Sequence, residues 1–415
     1  MHEYIVAIDV GSSNIYGAVG KIDNRGELNI IGTNSVNCTG LKKGVVVDIE
    51  SAAKSIKNCI ENLERIVDLE ITSVFLSLPG GICELIWNKA VVAVSSENRE
   101  IREKDLIRVL DATKIISIPS GKEIVGLIPQ QYIVDGYENI NEPIGMSGLR
   151  LELDAQVILA QTMVLSNLRK SLERAGVTII AEVLSSQSIS NIALKNIDKN
   201  LSTLIIDIGG ETTDLALFKN KNLVYTSTIV VGGNNITKDI SICLKIPHSS
   251  AEQLKIKYGQ VYLKSDEENK KISVIDGNNN KKEIDKRFLD NIIEARVGEI
   301  FKLIKEQLKD KVVYDDISNV ILVGGGVALF KDIDLYASDV LEKSVQVGYP
   351  EDFGASNPKY SNVVGTIKDI FETLKMTKNL NENSKKDNAK KVGMDIDEKK
   401  EGIISRVKEF ISDFF

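Results

Sequence analysis

The chain opens with an apolar run, residues 4–8, that stops at Asp9, crosses a polar turn and resumes at Ile15. Short runs of this kind, broken by Gly, Ser and Asn, predict two strands joined by a tight turn. Residues 27–31 add a third strand after Asn24-Arg25-Gly26. The period then changes. Between 51 and 67 apolar residues fall at 52, 53, 56, 59, 60, 63 and 67, the spacing of one helix face. A strand at 71–79 ends on Pro79-Gly80-Gly81. Strands at 90–94, 123–132 and 151–159 around a helix at 102–112 predict a small α+β unit over 83–162. A helix at 165–175, a strand at 177–184 and a helix at 185–196 follow.

Much of this order then returns. Residues 204–218 read as an apolar run ending at Asp207, a Gly209-Gly210 turn, Thr212-Thr213 and an alternating run, and 222–231 supply a third strand. Placing Asp9 on Asp207 puts Gly11 on Gly209, Ser12 on Gly210 and Val19 on Leu217, an offset of 198 (207 against 9). One motif used twice, each time at the head of a β-meander, points to a duplicated domain. The second half continues with a helix from Ile236 and another begun by Ser249 as N-cap. A hairpin turning at Asp276-Gly277 and a helix at 286–308 come next. A strand at 319–323 then runs into Gly324-Gly325-Gly326 and a helix-like stretch at 327–329.

From 377 to 400 large apolar groups nearly vanish, which predicts a disordered linker with a reach of roughly 25–30 Å. Residues 401–415 recover a helical period. Ile403, Ile404, Val407, Phe410, Ile411, Phe414 and Phe415 share one face, and the charges take the other. A helix of this length docks back on the core or in a protein groove, or lies on a membrane rather than crossing it; the linker, which a docked helix does not need, favours the membrane. Its five charged residues sum to −1, so the apolar face must dominate the attachment. A single weak anchor of this kind works best in several linked copies, which predicts an assembly.

Composition narrows the class. A chain of 415 residues is too long for one ordinary core, and 43% apolar with 27% charged content is that of a soluble globular protein. A net charge of −7 argues against a nucleic-acid binder. Cys38, Cys59, Cys83 and Cys243 form no C-x-x-C pair and read as small buried hydrophobes in a reducing compartment. His2 and His248 are too few and too far apart for a metal site. Asp9 and Gly11 interrupt the first apolar run, and no run of ~20 apolar residues occurs, so the expectation is a cytoplasmic protein able to meet a membrane surface.

The repeated turns carry the candidate chemistry. Gly11, Gly209 and Gly210 leave backbone amides open to an anion, and Ser12, Ser13, Asn14, Thr212 and Thr213 add donors. Asp9 and Asp207, at strand ends, suit a Mg²⁺ held mostly through water. A glycine-rich hairpin would explain one copy; two facing copies enclose a polyphosphate. Gly324, Gly325 and Gly326 let a flat ring lie against bare backbone, which suits adenine and ribose. The expected ligand is ATP with Mg²⁺.

Hairpin, hairpin and triple glycine, in this order, resemble the nucleotide site of the actin, Hsp70 and sugar-kinase superfamily. Within it, residues 1–376 resemble the FtsA family of bacterial cell-division actin homologues. Residues 231–240 are similar to that family's V-G-G-N-x-x-T-x-D-I signature, and 251–259 to its A-E-x-x-K-x-x-x-G helix. The place of the 83–162 insertion and the amphipathic tail match the same family. The resemblance implies an α/β, actin-like ATPase fold: two duplicated lobes with mixed sheets around a nucleotide cleft. Subdomain 1A would comprise 1–82, 163–196 and 359–376, with 83–162 as the relocated subdomain 1C. Subdomain 2A would comprise 197–245 and 313–358, with 246–312 as 2B, then the linker 377–400 and the membrane helix 401–415.

The same resemblance implies nucleotide contacts from Gly233, Asn234, Glu252 and Lys255, the last two at ribose or adenine. Asp207 or Glu182 would orient an attacking water. Hydrolysis would be slow and regulatory, since no Lys or Arg stands beside either glycine turn. Arg296, on the polar side of the 286–308 helix, would receive the C-terminal tail of the tubulin-like protein FtsZ. Further partners would be other copies in an actin-like filament, cytoplasmic membrane lipids, and later divisome proteins bound by 83–162, all at the septum. Glu211 stands where the family has a third glycine, and its carboxylate repels phosphate unless it turns outward or meets Mg²⁺ first. A PilM-type pilus-assembly homologue and a small-molecule kinase are the alternatives; neither has a use for 401–415.

Overall fold

The computed structural model describes residues 3–195, 197–198, 201–262, 271–275, 281–309, 314–328 and 330–388. The first lobe begins with the meander β1 (Glu3–Val10), β2 (Asn14–Ile22) and β3 (Leu28–Asn37), then a small hairpin, β4 (Leu41–Lys42) with β5 (Val45–Val46). Helix α1 (Ile49–Val67) starts where the Asp48 carboxylate accepts from the Ser51 amide and ends at Asp68 in the left-handed region. It buries Ala52, Ala53, Ile56, Cys59, Ile60 and Leu63, six of the seven positions its period marks. Strand β6 (Ser73–Leu78) closes this part.

The insertion follows, with β7 (Cys83–Ala93), α2 (Glu103–Thr113), β8 (Lys122–Val134), β9 (Tyr137–Ile140) and β10 (Arg150–Gln161). Its antiparallel sheet, ordered β7-β10-β8-β9, packs Leu151, Leu153 and Val134 against Leu106, Val109 and Leu110 of α2. The chain returns through α3 (Thr162–Arg174), β11 (Thr178–Leu184), α4 (Ser185–Ser188) and α5 (Ser190–Ala193).

The second lobe repeats the plan with β12 (Thr203–Ile208), β13 (Thr213–Lys219), β14 (Asn222–Ile229), α6 (Gly233–Leu244), α7 (His248–Tyr258), β15 (Lys271–Ile275), β16 (Lys281–Asp285), α8 (Lys286–Lys309), β17 (Asn319–Val323), α9 (Ile333–Leu341) and β18 (Ser344–Val347). Helix α10 (Ser361–Asn388) crosses back to the first lobe. The two main sheets are ordered β3-β2-β1-β6-β11 and β14-β13-β12-β17-β18. In each, the first pairings are antiparallel and the last two parallel. Identical order and sense in both halves is the duplication that the repeated motif predicts.

Strand alternation sorts the cores. Val6, Ile8 and Val10 of β1 face α1 and α3, while Ile5 and Ala7 face Val363, Val364, Ile367 and Ile370 of α10. In the second lobe Leu204, Ile206 and Ile208 face helices α6 to α9, while Ile205, Ala216 and Phe218 join the first lobe's core. The lobes therefore share apolar packing beneath the cleft.

Five local expectations are corrected. The helix at 185–196 is broken into α4 and α5, and the break lets Ser188 Oγ and Asn191 Nδ2 both donate to Asp369 of α10, at 3.3 and 3.2 Å. Helix α7 begins at His248 behind Pro247, so Ser249 lies inside its first turn rather than at its cap. Residues 327 and 328 bend instead of starting a helix; the next helix waits until Ile333. Helix α10 runs to Asn388, past the expected boundary at 376. Residues 377–388 contain no Gly or Pro, and a packed N-terminal half lets such a segment propagate. The rest of the expected linker, the 401–415 helix and the Asp276-Gly277 turn lie outside the described residues. Among the described residues no helix is long and apolar enough to cross a membrane. Cys243 is exposed rather than buried.

Asp369 yields a pH prediction. Burial pushes its carboxyl from the ordinary 3.8 up to about 6, opposed by the Asn191 and Ser188 donors. A raised acid is protonated in the fold while the unfolded chain has lost its proton, so stability falls as pH rises from about 4 to about 6 and levels off above. Asp369→Asn should remove that fall, at most about 3 kcal/mol, and leave the mutant relatively more stable above pH 6. Urea unfolding of both proteins from pH 4.5 to 8 measures the difference.

Candidate functional site

The two hairpin turns are built alike. Gly11 N donates to Asn14 O at 3.1 Å, and Gly209 N donates to Thr212 O at 2.9 Å, the same bond 198 positions later (209 against 11). Asp9 and Asp207 each sit one residue before the end of their strand, β1 and β12. They meet across the cleft, where the Asn362 Nδ2 donates to Asp9 Oδ2 at 3.1 Å and to Asp207 Oδ2 at 2.9 Å. Asn234 Nδ2 donates to Ser13 Oγ at 2.9 Å and makes a second tie between the lobes.

The carboxyls here are buried and close together. Burial pushes the Asp9 carboxyl up to about 7; the Asn362 amide opposes this and the Asp207 charge adds to it. Asp207 is raised by the same burial, against the same amide. Opposite Asp207 in the β12–β13 register stands Asp214, also pushed up to about 7 by burial and by Asp207, while the Thr228 hydroxyl it accepts from pulls the other way. The equivalent partner of Asp9 is Tyr16, so the duplicated position has diverged.

Glycines let three backbones converge behind these turns. Gly233 N donates to Gly209 O at 2.9 Å, Asn234 N to Gly210 O at 2.7 Å, and Gly326 N to Ile208 O at 2.7 Å. A Cβ on Gly232 would stand 2.7 Å from Gly209 O, and one on Gly326 would stand 2.5 Å from the same oxygen. Neither contact is tolerable against backbone, so the close approach dictates the residue type.

Most of the expected residues line one cleft. Asp9, Gly11, Ser12, Ser13, Asn14, Asp207, Gly209, Gly210, Thr212, Gly324 and Gly325 form its wall. Gly233, Asn234 and Gly326 sit immediately behind it in the glycine convergence. Thr213 does not join them; it is buried and its hydroxyl donates to Val231 O at 2.8 Å. Lys255 is buried as well, with Nζ donating to Gly233 O, Thr237 Oγ1 and Glu252 Oε2 at 3.1, 2.9 and 2.7 Å. It and Glu252 thus pack on Gly233 and Thr237 at the N-terminal end of α6.

Two further expected residues have partners away from the cleft. Glu182 is held by Arg169 through two bonds of 2.6 and 2.7 Å, in a groove beside the insertion, so it does not reach the cleft. Arg296 grips Asp239 of α6 at 2.5 and 3.1 Å and Glu299 at 2.6 Å, which gives it a packing role between α6 and α8. Glu211 turns to the β4–β5 hairpin, where Oε2 accepts from Lys43 N at 2.6 Å, while Ser12 Oγ accepts from Gly44 N at 2.7 Å. Its carboxylate is therefore occupied by an amide from the facing lobe.

Sequence reasoning missed the contribution of the segment before α10. Pro358, Lys359, Ser361 and Asn362 line the cleft, as do Tyr16, Ser185 and Gly44. Lys359 supplies a cation where none was expected; its Nζ lies 3.4 Å from Ser35 Oγ and 4.8 Å above the Tyr360 ring. A signal existed for Tyr16 and Asp214, which the strand register places beside the two aspartates. None existed for Asn362, 353 residues from Asp9.

The chemistry of this site fits a magnesium nucleotide. Among the described residues no group of three or more His, Cys, Asp or Glu side chains has metal-ligand geometry; the two carboxylates that meet here, Asp9 and Asp207, are the groups that could hold a hydrated cation. Asn362 Oδ1 and Ser361 Oγ are buried with no partner among the described residues, one an acceptor and the other a hydroxyl able to accept or donate.

Comparison with known proteins places the chain in a family. The family description "Cell division protein FtsA" matches residues 204–365, and "SHS2 domain inserted in FTSA" matches 80–159. The cell division protein FtsA of Bacillus subtilis (strain 168) is 38% identical over 368 residues, covering 88% of this chain and 83% of that protein. The FtsA of Borreliella burgdorferi is 34% identical, covering 90% of this chain and 92% of its own. Among solved structures, the PilM–PilN type IV pilus biogenesis complex superposes with a TM-score of 0.58 at 14% identity, over 87% of this chain and 96% of that one. MreB5 of Spiroplasma citri bound to ADP gives 0.55 at 17%, over 90% and 98%. These two carry the fold alone, an actin-like one. Fold, inserted SHS2 domain and sequence agree, and the chain belongs to the FtsA family of cell-division proteins.

Proposed function

We propose that this chain binds ATP with Mg²⁺ between its matched hairpins, assembles into actin-like filaments and tethers FtsZ to the cytoplasmic face of the membrane at the septum. The observation that carries the nucleotide part is the Asp9–Asp207 pair, two carboxylates from duplicated strands brought to one point of a glycine-walled cleft. Phosphates would lie against Gly11 to Asn14 and Gly209 to Thr212, with adenosine toward Gly324 and Gly325. The cation would neutralise phosphate charge, and Asp9 and Asp207 would hold it through water. With Glu182 bound to Arg169, Asp207 is the residue left to orient a water. Residues 401–415 supply the membrane contact, and the insertion at 83–162 offers a surface for later divisome proteins. The face of subdomain 2B around α8 receives the FtsZ tail, with Arg296 acting there through the α6–α8 contact it secures.

Asp207→Asn keeps the shape of the site and removes one charge. It should weaken Mg²⁺-dependent binding of a fluorescent ATP analogue by about 10- to 100-fold, the size of a lost charged contact. A wild-type protein that takes up neither ATP nor ADP, or that holds nucleotide at a site remote from Asp9 and Asp207, overturns the reading. Co-sedimentation with liposomes and an FtsZ tail peptide tests the tether.

A further inference from the structure

Asn362 is the second residue of α10, on a stretch of chain separate from both hairpins. Its side-chain amide spends one proton on Asp9 and the other on Asp207, at 3.1 and 2.9 Å. The reverse orientation would set the amide oxygen against two carboxylates, so the network fixes which end is which. Oδ1 is then the free end. It is buried and has no partner among the described residues, and Asn362 lies on the wall of the cleft. A buried acceptor left unmet is destabilising, and at the wall of a cleft a bound ligand or its water can supply the missing donor.

A hydrated cation between two carboxylates supplies such donors. Coordinated water gives protons and accepts none, so a shell of waters needs acceptors on every side. Asp9 and Asp207 provide them on two sides, and a carbonyl oxygen beside them provides a third. We propose that Asn362 is a positioning residue for the metal of the nucleotide site: Nδ2 sets the spacing of the two carboxylates, and Oδ1 accepts from a water of the cation's shell. The inference rests on the Mg²⁺–nucleotide reading above and extends it to a residue outside either hairpin.

The test is a Mg²⁺ titration of the full chain at a fixed, saturating concentration of a fluorescent ATP analogue. Wild type, Asn362→Ala and Asn362→Asp are compared, and each is melted in EDTA and in Mg²⁺. Asn362→Ala loses both ends and should raise the Mg²⁺ midpoint about 10-fold. Asn362→Asp keeps an oxygen acceptor but sets a third carboxylate against the pair. Its midpoint should stay at or below the wild-type value, while its melting temperature falls in EDTA and recovers in Mg²⁺. A purely structural bridge would lower both variants' melting equally with and without Mg²⁺ and leave the midpoints in place, which overturns the inference. A midpoint that rises as far in the Asp variant as in the Ala variant overturns it too, and the Asp variant carries the test alone if the Ala variant does not fold. A wild type indifferent to Mg²⁺ overturns the metal reading along with it; a responsive wild type with unmoved variants overturns this inference alone.

Discussion

Gly324→Ala is expected to destabilise the protein by about 3 kcal/mol and to abolish high-affinity nucleotide binding, a large effect for one methyl group. Two costs combine. Gly324 has φ +90°, where an L side chain is strained by about 1–2 kcal/mol. Its new Cβ would also fall on Asp207 Oδ1 and 2.6 Å from Ile208 O. Neither can retreat cheaply: Asp207 pairs with Val323 in the β12–β17 ladder and is held from the front by Asn362. Crowding of this kind adds about 1–3 kcal/mol. The displaced carboxylate is one of the two that meet at the cleft, so binding fails together with stability. Gly121→Ala is the control, since Gly121 has φ +79° but nothing within 4 Å of its Cβ position. It should lose about 1 kcal/mol and bind nucleotide normally. Urea unfolding and ATP titration of both variants decide the matter, and equal losses in the two would show that Asp207 is not where the cost arises.

That argument uses a contact no sequence pattern announces, and the division recurs across the molecule. Whatever depends on period was legible. The α1 stripe, the strand–turn–strand around Asp9 and its echo around Asp207 all follow from short-range alternation, and the duplicated sheet order follows from the echo. Whatever depends on which face a side chain takes was legible only in part. Thr212 and Thr213 look equivalent as donors, yet neighbours on an extended chain point to opposite sides. Thr212 reaches the cleft, and Thr213 is spent on Val231 O.

What depends on distant chain was not legible. Glu182 lies on β11, in the connecting segment before the second lobe where a water-orienting acid is expected, but Arg169 from the preceding helix holds it in another groove. Glu211 looks hostile to phosphate until the β4–β5 hairpin offers it the Lys43 amide. Asn362 is an ordinary helix-entry residue by sequence, and only the packing of α10 on β1 brings it between the two aspartates. In each case a polar group found a tertiary partner that local pattern could not name.

Removal of residues 401–415 is expected to shift the protein from the liposome pellet to the supernatant. Partial burial of Ile403, Ile404, Val407, Phe410, Ile411, Phe414 and Phe415, less the cost of ordering a helix, leaves about 4–6 kcal/mol. That corresponds to a dissociation constant between about 1 mM and tens of micromolar for a single copy. Since the segment's charges sum to −1, anionic lipid adds little, and moderate salt should leave binding nearly unchanged. One copy at this affinity comes off readily, whereas linked copies rebind before all have let go. Sedimentation should therefore rise steeply with protein concentration and with conditions that favour assembly. A Phe410→Glu change, which puts a charge in the middle of the apolar face, should reproduce most of the truncation's effect. Micromolar or tighter binding by a strictly monomeric form would break the link drawn between the tail and assembly, and equal binding by the truncated chain would place the membrane contact elsewhere on the molecule.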